Sequence, residues 1–173
     1  MKDLRKFMLL IMVTAMAGLT SCSSDDDGGS GGSASPGTLT AKIDGATMTS
    51  VEIATFATLS SGTLQIQGNT GGTSSKAIVL TIFGYDGVGT YPLGGGANIF
   101  NVAAYQETNV DLNDPTNPEI IIWQAPYDDM QVGEINISEV TETNIKGTFN
   151  FSAKNSTDDS IKDVTEGSFN IDF

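Results

Sequence analysis

Asn144-Ile-Lys-Gly-Thr-Phe-Asn-Phe-Ser-Ala-Lys154 decides the fold of this chain. Ile145, Gly147, Phe149, Phe151 and Ala153 fall on one face of an extended strand; Lys146, Thr148, Asn150, Ser152 and Lys154 fall on the other. Side chains alternate across a strand, so a period of two marks one buried and one wet face. The pattern continues on both sides. Thr141-Glu-Thr-Asn144 and Asn155-Ser-Thr-Asp-Asp159 read as turns, rich in residues that hydrogen-bond their own backbone. Beyond the second turn, Phe169, Ile171 and Phe173 alternate with Ser168, Asn170 and Asp172. Before the first, Val132 and Ile135/Ile137 straddle Gly133, which predicts a bulge there. The last 45 or so residues therefore predict a three-stranded antiparallel meander.

Working outward, short alternating runs bounded by Gly, Asn, Asp and Pro predict strands at 38–44, 50–58, 63–68, 76–84, 98–106, 119–125, 131–140, 144–154 and 164–172. No window shows an apolar stripe at i, i+3, i+4 and i+7. The expectation is an all-β domain over 38–173, an antiparallel β-sandwich of about 8–10 strands, with a small closed lipocalin-like barrel as the alternative.

The 173 residues include one Cys and no His. Disulfides within the chain, the common Cys/His zinc sites, and serine or cysteine catalysis with a histidine base are thereby excluded. The net charge is −13. Three of the 8 bases (Lys2, Arg5, Lys6) and one of the 21 acids (Asp3) precede residue 7, leaving 20 acids against 5 bases, about −15. A phosphate backbone would be repelled, so nucleic acid is not an expected partner.

Met1–Ser21 has the shape of a cleaved leader: basic MKDLRK, then the apolar FMLLIMVTAMAGL. That apolar run is shorter than the roughly 20 residues a membrane span needs. It ends in Leu19-Thr20-Ser21-Cys22, which resembles the lipobox of bacterial lipoproteins. The resemblance implies cleavage before Cys22, a diacylglyceryl thioether on its sulfur and acylation of the new amino group. Several acyl chains hold a protein stably where one does so marginally. Asp25–Asp27 just behind resembles the surface-export signal of Bacteroidota lipoproteins, which implies an outer-membrane address facing the cell exterior. Residues 22–37 form an acidic and Gly/Ser tether; its last ten span roughly 15–20 Å as a flexible coil.

The folded region also has a family resemblance. Gly133-Glu-Ile-Asn-Ile-Ser138, Ile145-Lys-Gly-Thr-Phe-Asn-Phe-Ser-Ala153 and Val164-Thr-Glu-Gly-Ser-Phe-Asn-Ile171 resemble a β-rich module of Bacteroidota lipoproteins whose function is unknown. Leu39-Thr-Ala-Lys-Ile-Asp-Gly45 and Gly89-Thr-Tyr-Pro-Leu93 match its opening strand and a turn. The resemblance implies a lipid-anchored β-domain and brings no catalytic residues.

Four local features are candidate sites. Asp111, Asn113 and Asp114, in an oxygen-rich run reaching Glu119, are candidate Ca2+ ligands; the same residues are what a turn demands, and no other cofactor is expected. Trp123, Tyr127 and Asp128 are candidate glycan-binding residues, since an aromatic ring stacks on a sugar's apolar face while acids bond its hydroxyls; a core Trp is the alternative. Asp128/Asp129, or Glu134 with Glu139, would serve a carboxylate-based glycan hydrolase only at about 5–5.5 or 6.5–9.5 Å separation. Ser160, in Asp159-Ser-Ile161, resembles a Bacteroidota O-glycosylation acceptor. The expected function is a non-enzymatic surface lipoprotein that binds a glycan or protein or plays a structural part. A lipocalin-like small-ligand carrier is the second reading and the hydrolase the third.

Overall fold

The computed structural model describes residues 33–96 and 100–173, and every described residue in regular structure is extended apart from one 3-10 turn at Glu52–Ala54. Eleven strands follow in order: β1 (Thr38–Ile43), β2 (Ala46–Thr49), β3 (Thr55–Ser60), β4 (Thr63–Asn69), β5 (Ser74–Phe83), β6 (Gly89–Leu93), β7 (Val102–Asn109), β8 (Glu119–Ala125), β9 (Gly133–Val140), β10 (Asn144–Lys154) and β11 (Ile161–Asp172). All pairings are antiparallel. One half runs β2-β1-β11-β10-β9-β6 and the other β8-β7-β5-β4-β3.

The halves are joined in the ladder by one pairing, Lys154 with Gln124. There β10 leaves β9 and meets β8. On the far side the chain itself makes the corner: the Ser50 N–H bonds the Leu39 carbonyl, and the next N–H, of Val51, bonds the Asn69 carbonyl. The curled sheet thus forms two layers over a single core, a β-sandwich open along part of one seam. Its interior is filled by Leu39, Ile78, Tyr105, Trp123, Phe149 and Phe169 among others.

The meander is as expected. Residues 145, 147, 149, 151 and 153 of β10 are all buried, and β9, β10 and β11 are consecutive neighbours. Two irregularities keep the apolar residues in phase. In β11, Thr165 and Glu166 bulge opposite Asn150, and Glu166 takes φ +51°. The bulge lets Val164 and Gly167, three apart, both face inward, and sends Glu166 out to an ion pair with Lys42 at 2.9 Å. In β9 the extra residue is Ser138, between the Ile137–Gly147 and Glu139–Lys146 pairs. The bulge expected at Gly133 is absent. Gly133 sits in regular register between Leu93 of β6 and Phe151 of β10, close to the backbone of both Asn150 and Phe151. The close approach accounts for the glycine.

Two strands escaped the sequence pattern, β2 and β6, because four or five residues are too few to show a period. The strand expected at 50–58 begins at Thr55, since Ser50–Ala54 make the corner. Asp44-Gly45 (φ +48° and +83°) is a two-residue turn with both residues left-handed, the type I′ geometry that matches strand twist. The Asp44 carboxylate also accepts from Lys162 at 2.7 Å and from the Asp163 N–H at 3.0 Å. The hydrogen bond from Lys162, then the one from Asp163, hold its pKa below the usual carboxylate value, and Asp44 in turn raises that of Lys162. A folded pKa below the unfolded one contributes stability above the unfolded value, near pH 3.9, and loses it as pH falls through the folded value. Asp44→Asn keeps the turn and removes the titration. Between about pH 5 and pH 2 its urea midpoint should therefore fall less than that of the parent chain.

Of the segments read as leader and tether, residues 1–32, with Cys22, lie outside the described residues. The last of the tether is held by the fold: Ala34 is buried, and the Gly37 N–H bonds the Asn170 carbonyl at 2.8 Å.

Candidate functional site

Where the two layers part, an open groove of about 550 Å³ runs between the edge of β3 and the β9–β10 turn. Ala57 and Leu59 line it on the β3 side, Val140, Glu142 and Phe173 on the other, and Tyr85 lines it as well. Leu59 is 50% exposed and Phe173 46%. By alternation Phe173 belongs with the buried Phe169 and Ile171, but the β10–β11 ladder stops at Asp172 and leaves it at the rim. The Tyr85 hydroxyl is buried without a hydrogen-bond partner, and burial raises its pKa. Its ring lies 5.9 Å from that of Tyr91, whose hydroxyl donates to the Gly87 carbonyl.

The residues singled out from the sequence lie elsewhere. Trp123 is only 5% exposed and cannot serve as a surface platform. Its ring packs 5.5 Å from the fully buried Tyr105, its Nε1–H donates to Ser160 Oγ at 2.8 Å, and Lys162 Nζ lies 5.6 Å from its centre. Tyr105 donates to Glu107 at 2.6 Å; burial first, and that bond second, raise its pKa strongly. The core alternative for Trp123 holds because Trp123 and Ala125 of β8 face inward while Ile120 and Ile122 face out. Tyr127 is partly exposed, and it and Asp128 lie within electrostatic reach of Lys154, which is ion-paired to Asp159 at 2.7 Å. The three expected glycan-binding residues are therefore not assembled on one surface.

Ser160 is partly buried. Its hydroxyl accepts from Trp123 and, as the donor in a hydrogen bond to Asp158, lowers that carboxyl's pKa. An acceptor serine would need that hydroxyl released. Asp111, Asn113 and Asp114 form consecutive turns. Asp111 Oδ1 accepts from the Asn113 N–H at 2.8 Å and side-chain amide at 2.9 Å, and Asp114 Oδ1 accepts from Thr116 at 3.0 Å. Among the described residues no group of three His, Cys, Asp or Glu is placed to hold a metal ion. Glu134 and Glu139 pair with Asn150 and Lys146, four residues apart on β10, so their backbones stand about 13 Å apart at strand rise, wider than either glycosidase spacing. Glu139 is ion-paired to Lys146 at 3.0 Å, and Asp128 caps the Met130 N–H.

Charge is one-sided. Among the described residues 17 acids face five lysines, and Lys42, Lys146, Lys154 and Lys162 each have an acidic partner within 3.0 Å. The groove itself carries one charged side chain, Glu142. Nothing in the sequence announced this site: its walls come from separate segments, and an edge strand has the same period as a central one.

No curated protein sequence and no solved structure matches the chain significantly. A family profile does, over residues 36–171; its description is Domain of unknown function (DUF6252).

Proposed function

We propose, for a chain that belongs to this family of β-rich domains of unknown function, that it is a lipid-anchored cell-surface module that binds its partner in the seam groove and performs no chemistry of its own. The groove is the observation that carries the binding part: Leu59, Val140 and Phe173 stand exposed around one concavity on an otherwise strongly acidic domain. Exposed apolar side chains gathered at a concave seam mark an interaction site, whereas the same residues scattered singly would need no explanation. The anchoring part rests on Leu19–Cys22 and on Asp25–Asp27. The carrier reading is disfavoured because the interior such a protein keeps open is filled here by Tyr105, Trp123 and three phenylalanines. The hydrolase reading is disfavoured by the separation of Glu134 from Glu139 and by the partners Asp128 and Glu139 already have.

Cells expressing the chain test both parts. Metabolic acyl labelling should mark the parent chain and be lost with Cys22→Ala, which should also leave the membrane fraction; label persisting in that variant overturns the anchor. A photo-crosslinking residue at Val140, on the groove wall, should give a discrete adduct on intact cells. One at Leu112, 77% exposed on a distant loop, should give none. Equal results at the two positions overturn the groove as the binding site.

A further inference from the structure

The geometry points to one kind of occupant: an extended, basic polypeptide segment that adds as a strand along the free edge of β3. This deepens the binding reading above and rests on it. Among the described residues β3 pairs only with β4. The two are joined by Ser61-Gly62, with φ +50° and +76°, a two-residue type I′ turn whose closing pair, Ser60 and Thr63, is hydrogen-bonded. Bonded and non-bonded pairs alternate along an antiparallel ladder. Thr58 and Phe56 therefore bond β4, while the N–H and C=O groups of Ala57 and Leu59 turn outward. No described group bonds them. Ala57 and Leu59 also line the groove; Ala57 is buried where β3 packs against β11, and Leu59, half exposed, presents the accessible part of the edge, so the apolar wall and the reachable unpaired backbone groups meet at Leu59. That combination fits added-strand recognition, in which the main chain supplies affinity and alternate side chains enter pockets.

The other terminal strands differ: β8 carries Glu119 and meets β10 at Gln124. β2 has four residues, and β6 carries Pro92. Short edges, proline and lysine are the usual means of blocking unwanted pairing. β3, Thr-Phe-Ala-Thr-Leu-Ser, has neither charge nor proline. The partner's charge follows from the surroundings. Glu142 is the groove's charged group, and the domain around it has far more carboxylates than lysines. A basic segment is drawn in, and an acidic one, including a second copy of this chain, is repelled.

The test uses the purified full chain in nonionic detergent and a fluorescein-labelled eight-residue peptide alternating valine and lysine. Saturable binding is expected. Methylating the backbone nitrogens of alternate residues, on the edge that would face β3, should weaken it about tenfold or more. A valine–glutamate peptide should not bind, and Leu59→Lys, an inward charge on the edge strand, should weaken the valine–lysine peptide by a similar factor. The methylated probe leaves the protein untouched, so its result stands even if Leu59→Lys folds poorly. Equal affinity for methylated and unmethylated probes, or no saturable binding, overturns strand addition. So does sedimentation showing that the chain alone dimerises and that Leu59→Lys makes it a monomer, since the edge is then occupied by a second copy. A Val140 adduct on cells together with either failure leaves the groove a binding site and removes only its strand-adding partner; loss of both removes both.

Discussion

Phe169→Ala should cost about 3–5 kcal/mol, the range for emptying a large aromatic from a core, and be read as a fall in the urea midpoint. Against a typical total of 5–15 kcal/mol that is a large share, and the chain would be mostly unfolded at mild temperature if its reserve lies at the low end. The reason is specific to β10 and β11. Phe169 pairs with Gly147, and its Cζ lies 2.5 Å from where a Cβ on Gly147 would stand. Two positions along the ladder the roles reverse: Phe149 pairs with Gly167, and its ring occupies the place of that glycine's missing side chain. Each ring covers a glycine on the other strand, and the two rings lie 6.3 Å apart. Truncating Phe169 removes ring burial and uncovers the Gly147 backbone at once. Phe149→Ala should cost a similar amount. Because the rings share neighbours, the double variant should fall short of the sum by 0.5 kcal/mol or more. Strict additivity would show that the rings act independently.

Gly133→Ala should cost about 3 kcal/mol, the upper end of overpacking penalties, although it adds a single methyl group. A Cβ there would stand 2.6 Å from both Cα and Cβ of Phe151 and still closer to the Asn150 carbonyl. Most of those atoms are backbone, so no rotamer change relieves the contact. β9 must move off β10, and β6, which among the described residues pairs only with β9, must move with it. Amide hydrogen exchange at Ile135 and Ile137 should quicken in the variant while Ile78 and Leu80 in the other layer stay protected. Gly45→Ala is the control. With φ +83° but no atom within 4 Å of its Cβ, it should cost only the roughly 1–2 kcal/mol of a left-handed backbone.

The meander was legible because β10 combines a long run, strict alternation and turn residues at both ends. The rest was legible to the degree that strands were long. β5 and β8 came through; β2 and β6 did not. Layer membership was not legible, because the split depends on where β10 changes partner, and Lys154 and Gln124 carry no mark of that in the sequence. Trp123 shows the same limit at a site. Its neighbours Tyr127 and Asp128 suggested a surface, but facing direction within β8 placed it inside. The groove was invisible for the converse reason, since Leu59 and Phe173 occupy positions that alternation assigns to the interior. Their exposure comes from β3 being last in its layer and from the β11 ladder ending one residue early.

β1 begins one residue after Gly37 and is hydrogen-bonded on both edges, in five register positions to β11 and four to β2. Any tension entering through the N-terminal segment is delivered to the one strand of that layer's end flanked on both sides. Pulled along its axis, β1 loads the two ladders in shear, so their bonds resist together rather than opening one after another. The groove rim at Phe173 stands only three residues beyond Asn170, the acceptor for Gly37, about 10 Å at strand rise. A load applied at that rim and resisted at the N-terminus would pass through this corner of one layer and into the β1–β11 ladder, where Leu39 pairs with Phe169, so the ring that covers Gly147 sits on the strand that carries it.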